Sequence, residues 1–563
     1  MKVLVFSFFF IIISLLLRSQ NFVNPVKIPL LLSGSFAELR NNHFHSGIDI
    51  KTNEKTGIPV IAIADGYVSR IKVSPYGFGK VLYITHYNGY MSVYAHLLRF
   101  EDSIWKFVRE EQYKQHKNSI ELFPKKTKIQ IHQGDTIGFT GNSGSSGGPH
   151  LHFEIRKKNN QHPVNPVKIG FDIKDTIAPV IYKLSLTNFP NYTIGQRVYK
   201  CSFKKEQNNI MVYSINPETL KIKQPIGIAI KTYDYYNNST NICGINAIKM
   251  YLDDKIFFGY QLDEFSYSKK RYINSLVDFP YYIRKKERFQ RLYRQPNNQL
   301  SSYFPENATG KIQLKDTLLH KIKIVVTDSK NNTAMLSFFI QGPTTNKQKT
   351  KKVEGKLFRY QQINKFENDT FSFTIPQNGL YDDMVFTYKM ISDNRYFSPI
   401  ITIGSEEIPL HKKATLSITV GDKVKPKYRS KLTIVRKSGK RFYNAGGYYR
   451  NGKITVKTYN FGTFAVSIDT IPPVIKPLNI YENAKFIKDT SIRFQISDNL
   501  SGIQSYSLFI DGKWLLLDYD YKTKELIYVF DNYLEKSGKL HKLQLIVIDG
   551  KGNTSHYATN FYY

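Results

Sequence analysis

Gly147–Ile155 reads GGPHLHFEI, and the strand written into it sets the terms for the whole N-terminal region. In a β-strand, residues two or four apart lie on one face. His150 and His152 therefore point the same way, flanked by the β-formers Leu151, Phe153 and Ile155. A second stretch, FHSGIDIKT at Phe44–Thr52, places His45 and Asp49 four apart beside Ile48 and Ile50, and the same periodicity puts that pair on one face. A further histidine, His96, stands in YAHL at Tyr94–Leu97. Read as strands, these segments direct His45, Asp49, His96, His150 and His152 into one cleft. Two imidazoles, a carboxylate and a water form the three-plus-one coordination of a catalytic zinc rather than a closed structural one. Two further imidazoles then stand beside the metal. A single histidine in a β-protein is ordinarily a surface residue or a satisfied core residue, but five such groups in this order and spacing outweigh that reading.

The combination resembles the lysostaphin/LytM-like zinc peptidases, the M23 family, which cut peptides in bacterial peptidoglycan. The matching features are HxxxD at His45–Asp49, the YAHL segment around His96, and GFTGNSGSSGGPHLHFEI (Gly138–Ile155) ending in HxH. ADGYVSRI (Ala64–Ile71) and GKVLYITHYNGYMSVYAHL (Gly79–Leu97) are similar to that family's hairpin core, and the likeness runs roughly from Pro25 to Ile169. The resemblance implies a Zn2+ cofactor held by His45, Asp49 and His152, with His96 and His150 as the catalytic pair beside it. Zinc lowers the pKa of its water to about 7 and polarises a scissile carbonyl. A histidine can take the water's proton, steady the oxyanion and protonate the leaving amine. The division of labour between His96 and His150 stays open.

His43, His86 and His132 read as bystanders, although His43 shares the His45 strand face and could line the cleft. Glu154 shares the His150/His152 face and reads as an orienter of a ligand. Gly134, Gly138, Gly141, Gly144, Gly147 and Gly148 suit turns and close approach of a peptide backbone; an ordinary flexible loop is compatible with that. Asn142 and Ser143 are candidates to hydrogen-bond substrate.

Met1–Ser19 reads as a secretory signal peptide, with Lys2 as its positive start and Val3–Leu17 as its apolar core. The apolar run is about fifteen residues where a membrane span needs about twenty. Cleavage is expected near Ser19/Gln20; the alternative is an uncleaved membrane anchor, the only contact with a membrane that the sequence suggests. No cysteine stands near residue 20, which excludes lipoprotein attachment there, and no later segment is long and apolar enough to span a bilayer. The expected location is exported, in the periplasm or at the cell surface. The two cysteines, Cys201 and Cys243, lie outside the HxH region; an exported pair can form a disulfide, but spacing alone does not bring them together. The formal net charge of +35 reflects a Lys-, Asn-, Ile- and Tyr-rich composition throughout, with attraction to anionic envelope polymers as the functional alternative. An exported chain with no recognition motif is not expected to bind nucleic acid.

The 563 residues are too many for one core. The fold class is mostly β: an antiparallel-β peptidase domain over residues 22–170, followed by β-sandwich, immunoglobulin-like modules. Those modules are expected at 171–342, 343–468 and 469–563. One helix is predicted over Asp102–Gln115, followed by a strand near Lys128–Ile131. An internal repeat supports the modules. DTIAP (Asp175–Pro179) recurs as DTIPP (Asp469–Pro473), and LHKIKIVVTDSKNNT (Leu319–Thr333) recurs as LHKLQLIVIDGKGNT (Leu540–Thr554). TYDYYNNSTNICGI (Thr232–Ile245) matches ISDNLSGI (Ile496–Ile503) more loosely, and the longer first copy carries an insertion near 264–313. Asp328/Asn332 and Asp549/Asn553 occupy equivalent turns; an Asp/Asn turn satisfying its own backbone is the preferred reading, with calcium ligation as the other. GPTTNKQKTKK (Gly342–Lys352) reads as a polar linker.

These features predict an exported zinc metallo-endopeptidase acting on peptide cross-links of peptidoglycan. The rival is a non-catalytic relative that activates another wall hydrolase or serves as a scaffold; such proteins lack one or more metal ligands, and here all five positions are present. A third reading, a surface adhesion protein, rests on the mass of the β-modules.

Overall fold

Antiparallel pairing organises the N-terminal domain around the strand His150–Lys157, whose buried Leu151, Phe153 and Ile155 fill one side of the sheet. In the computed structural model, which describes residues 22–189, 196–222, 225–342, 355–420, 424–486, 491–536 and 538–563, that strand lies between Ile48–Lys51 and Tyr90–Leu97. Lys80–His86, Gly66–Val73 and Ile120–Leu122 continue the sheet on the Tyr90–Leu97 side, and Leu32–Gly34 closes the other edge. The predicted signal segment Met1–Ser19 and the linker beyond Gly342 lie outside the described residues. Among the described residues no helix is long and apolar enough to cross a membrane.

The predicted helix forms over Asp102–Gln115. The Glu101 side chain accepts the Ser103 amide at its start, and His116 in the left-handed region (φ 50°) ends it. The strand expected near Lys128–Ile131 is Gln130–Ile131, paired with Gly66–Tyr67.

The remainder is β-sheet, as expected for a mostly β chain. Between Val180 and Gln341 an 11-stranded sheet turns a corner at Arg197–Gln207, whose first residues pair with Val180–Asn188 and whose last pair with Ile210–Ile215. Between Asn364 and Ile468 two five-stranded sheets close over one core, and a four-stranded and a five-stranded sheet do so between Val474 and Tyr562. The repeated LHK segments both build the first strand of a long hairpin, Leu319–Thr327 with Thr333–Gln341 and Leu540–Asp549 with Thr554–Tyr562. Cys201 and Cys243 are buried free thiols.

The N-terminal domain and the first module share a single hydrophobic core that runs from Val26 to Ile340 and takes in Tyr381 of the middle module. The inserted segment supplies the short helices Tyr267–Tyr272, Ile273–Leu276 and Phe279–Lys285, and Phe265 beside them packs on Phe36 and Phe44. The first module is therefore part of the wall behind the HxH strand.

Candidate active site

Strand register assembles most of the site. His152 stands opposite Asp49 on one neighbour and opposite Ala95 on the other, so Asp49, His152 and the His96 that follows Ala95 come from three adjacent strands. His150 and His152 share a face as their spacing predicts. His45 reaches Asp49 differently from the strand alternation its spacing predicts. His45–Gly47 is not strand: the chain breaks between His43–Phe44 and Ile48–Lys51, so the pair meets across a bend rather than by strand periodicity. Gly47 permits that bend, since a Cβ there would lie 2.2 Å from the Phe153 carbonyl oxygen. His43, on the far side of the break, is exposed and its Nδ1 donates to the Asn41 carbonyl at 2.9 Å; it does not line the cleft.

Three donor atoms form a nearly equilateral triangle. His45 Nε2 lies 3.0 Å from His152 Nδ1 and 3.1 Å from Asp49 Oδ1, and His152 Nδ1 lies 2.9 Å from Asp49 Oδ1. The other nitrogen of each ring is occupied. His45 Nδ1 donates to the Ser35 carbonyl at 2.7 Å, and His152 Nε2 donates to Glu154 Oε1 at 3.0 Å. Those acceptors take the outer N–H of each ring and leave both inner nitrogens turned toward the Asp49 carboxylate. Burial opposes charge on His152, but Asp49 and Glu154 outweigh it and push it up to about 9, so a cation entering the triangle displaces a proton. Such a convergence is the donor set of a small divalent cation. Two neutral imidazole nitrogens and one carboxylate suit zinc with one position left open.

Burial sharpens the electrostatics. All three side chains are nearly inaccessible. Burial opposes ionisation of Asp49, yet His45, His150 and His152 outweigh it and hold its carboxyl well below the usual range. Burial likewise opposes the charge on Glu154, while Arg156 and His152 bring it down to about 2. Glu154 is fully enclosed and also accepts from Ser46 Oγ (2.5 Å), Arg156 Nε (2.6 Å) and Tyr267 Oη (2.8 Å). Asp49 Oδ2 is taken by Arg40 at 2.9 Å, leaving Oδ1 for the triangle.

The two remaining imidazoles stand together, ring centroids 4.9 Å apart. His96 Nδ1 donates to the Ser143 carbonyl at 2.9 Å, and His150 Nδ1 donates to the Gly148 carbonyl at 2.9 Å. Each turns Nε2 away from its loop carbonyl, and that of His150 lies 3.5 Å from Asp49 Oδ1. Burial, with His152 and His150 nearby, pushes His96 down to about 3, which keeps it neutral. Its backbone is held at φ 61°, an uncommon conformation for a side-chain-bearing residue. Gly144 makes the loop fit: its own φ is +68° and a Cβ there would lie 2.3 Å from the Gly79 amide, so the loop presses close enough for Ser143 to reach His96. Ser143 is committed to this scaffold, its hydroxyl donating to Leu97 and accepting from the Lys80 amide, and is not available to substrate as its sequence position suggested. His86 is a core residue bonded to Ser92, and His132 is exposed, so neither joins the site.

Residues 43–166 match the description Peptidase family M23. They are an M23 peptidase domain. The family is one of zinc metallopeptidases, in agreement with the donor set. The DD-carboxypeptidase/endopeptidase Mpg of Neisseria meningitidis serogroup B is 34% identical over 126 residues, 22% of this chain and 23% of that protein. The peptidoglycan DD-endopeptidase ShyA of Vibrio cholerae is 29% identical over 133 residues, 24% of each. A solved zinc containing peptidase from Vibrio cholerae is 26% identical, covering 28% of this chain and 40% of that chain, with a TM-score of 0.20. The chain thus spans about a quarter of the length of the curated relatives it matches. Residues 355–469 match a Zu5-like domain.

Sequence reasoning missed Ser35, Arg40 and Tyr267. Ser35 lies in a turn and Arg40 in the two-residue strand Leu39–Arg40 just before the HxxxD motif, too short a strand for periodicity to mark either. Tyr267 comes from the first module, 113 positions after the glutamate it touches.

Proposed function

We propose that the chain is an exported zinc metallo-endopeptidase that hydrolyses peptide cross-links of peptidoglycan, with His45, Asp49 and His152 as metal ligands and His96 and His150 as the catalytic pair. The observation that carries this is the triangle of converging donors at 2.9–3.1 Å, with the outer nitrogen of each histidine held from behind. Relatives named peptidoglycan DD-endopeptidases support the substrate class, and a D-Ala–diaminopimelate bond fits it better than a glycine bridge.

Zinc held by these ligands supplies a Lewis acid for the scissile carbonyl and lowers the pKa of its water to about 7. The chain's residues do the rest. Glu154 and the Ser35 carbonyl hold His152 and His45 with their lone pairs inward, and Arg40 keeps Asp49 turned so that Oδ1 faces them. His96 and His150, each with Nδ1–H tied to a loop carbonyl, between them take the nucleophile's proton, steady the oxyanion and return the proton to the leaving amine. Gly147 and Gly148 carry no side chain into the open space beside His150, where a peptide can approach.

The test is zinc content and fragment release from peptidoglycan for the wild-type chain beside His45→Ala and His150→Ala. The ligand variant is expected to lose zinc and activity; the His150 variant keeps zinc and loses activity by about 10²- to 10⁴-fold. A full chain that holds one zinc and releases nothing would transfer the assignment to a wall-bound activator.

A further inference from the structure

Three aspartates from separate loops meet at the head of the first module. Asp175 precedes the strand Val180–Asn188, Asp234 follows Ile226–Tyr233, and Asp328 ends Leu319–Thr327. One carboxylate oxygen from each lies within 4.8 Å of the others. Asp328 is engaged by its own turn, as its sequence suggests: Oδ1 accepts the Lys330 and Asn332 amides at 2.7 and 2.9 Å, and Oδ2 accepts Asn332 Nδ2 at 2.7 Å. Asp234 is different. It is 0% exposed and neither of its carboxylate oxygens has a hydrogen-bond partner; Oδ2 of Asp175 has none either. A buried carboxylate without a partner carries a large desolvation cost, which a coordinated cation removes.

The same cluster recurs in the last module. Asp469, Asp498 and Asp549 also bring one oxygen each within 4.8 Å of one another. The Asp549 turn repeats the Asp328 turn, with Lys551 and Asn553 amides on Oδ1, both at 2.8 Å, and Asn553 Nδ2 on Oδ2 at 2.7 Å. Asn553 Nδ2 also reaches the Asp469 carbonyl, as Asn332 Nδ2 reaches that of Asp175. Asp469 is 1% exposed and its Oδ1 is unpartnered, as is Oδ1 of Asp498. A self-satisfying turn needs only Asp328 with Asn332, or Asp549 with Asn553. It gives no reason for the other two carboxylates to converge on it, twice.

We infer that each cluster is a calcium-binding site, with ligands from the three aspartates that begin the module, follow its early strand and end its LHK strand. The donors are all oxygen, which selects a hard cation over zinc. Calcium–oxygen distances of about 2.3–2.6 Å give a coordination sphere about 5 Å across, wide enough for the observed span, whereas magnesium demands a tighter octahedron and retains its waters. Burial, with the facing carboxylates, pushes Asp234 up to about 9 and Asp175 up to about 7, so protons and cation compete for the first cluster. Each site sits at a joint with the preceding domain. The Asp328 turn meets the peptidase domain through Asn165 Nδ2 on Ser329 Oγ (2.8 Å), and the Asp549 turn meets the middle module through Lys551 Nζ on the Gly447 carbonyl (2.8 Å). Calcium would stiffen both joints.

The experiment is calorimetric titration of CaCl2 into the zinc-loaded full chain, with Asp234→Asn, Asp498→Asn and the double variant, and zinc content measured throughout. Two calcium ions are expected for wild type, one for each single variant and none for the double, with zinc unchanged. Thermal melting supplies a check independent of titration: without calcium, Asp234→Asn melts close to the wild-type temperature, because burial and the facing carboxylates already keep Asp234 protonated and uncharged at neutral pH. Calcium raises the wild-type melting temperature and leaves the double variant unmoved. If neither single variant folds, the wild-type stoichiometry and melting shift still decide. No binding at millimolar calcium, undiminished binding by the double variant, or a larger melting shift with magnesium than with calcium would each overturn the assignment.

Discussion

His152 divides its two nitrogens between two tasks: Nδ1 faces Asp49 and His45, while Nε2 is held by a glutamate with no exposure to solvent. The basicity of the inward nitrogen depends on that glutamate being charged. Glu154→Gln keeps the shape but removes the charge, and its amide can present an N–H to Nε2 and invert the tautomer. Zinc affinity should fall by about 10- to 100-fold, the usual scale for a partner behind a metal ligand. Competition with a zinc-binding dye measures it, and unchanged affinity would remove Glu154 from the metal site. The histidine pair on the strand was legible because i, i+2 alternation is a local property of the extended chain. His45 was found by spacing for the wrong geometric reason: the Gly47 bend, not alternation, brings it to Asp49. A glycine pressed on a neighbouring carbonyl leaves no periodic signature.

At the scale of elements, the site depends on parts of the chain that no motif joins to it. The carbonyl that holds His45 belongs to Ser35, whose hydroxyl accepts the Gly244 amide at 2.8 Å. The glutamate that holds His152 accepts the Tyr267 hydroxyl, and the Tyr267 ring lies under Arg156 at 4.6 Å. Both supports therefore come from the first module, which shares its core with the peptidase domain. Tyr267→Phe keeps the ring and the cation–π contact and removes one hydrogen bond to a buried charge. A loss of up to about 10-fold in zinc affinity is expected, at the low end of the range for outer partners, with global stability little changed. Chelator-challenge kinetics against melting temperature separates a positioning effect from general destabilisation; equal zinc retention in both proteins would refute the coupling. The helix Asp102–Gln115 and the LHK repeat were readable because their signals are local periodicity and self-similarity. The insertion's contact with the peptidase domain is a tertiary event between unrelated segments, which neither signal encodes.

On the scale of the whole molecule, the chain folds back so that the last module grips the helix beside the cleft. Tyr113 joins that module's core, stacked on Tyr533 at 3.5 Å between ring centroids. Asp531 accepts both the Tyr113 hydroxyl (2.6 Å) and Arg109 Nη2 (2.9 Å). Nearby, Lys522 donates to the Asn142 carbonyl, and a cavity of about 330 Å³ opens between the glycine-rich loop and Asp518–Asp520. The loop that carries Ser143, and through it His96, is thus braced by the far end of the sequence. Asp531→Ala leaves two buried or half-buried donors without their carboxylate, and such losses cost about 1–3 kcal/mol each. Neither donor belongs to the metal site, so zinc content should stay at the wild-type level while the grip loosens. Amide exchange along Asp102–Gln115 should accelerate relative to the sheet behind it, and hydrolysis should fall because His96 is less firmly held. If exchange in the helix is unchanged while the variant is destabilised everywhere, Asp531 contributes to its own module's fold and the brace does not exist. If exchange rises and hydrolysis does not, the last module docks without governing the loop.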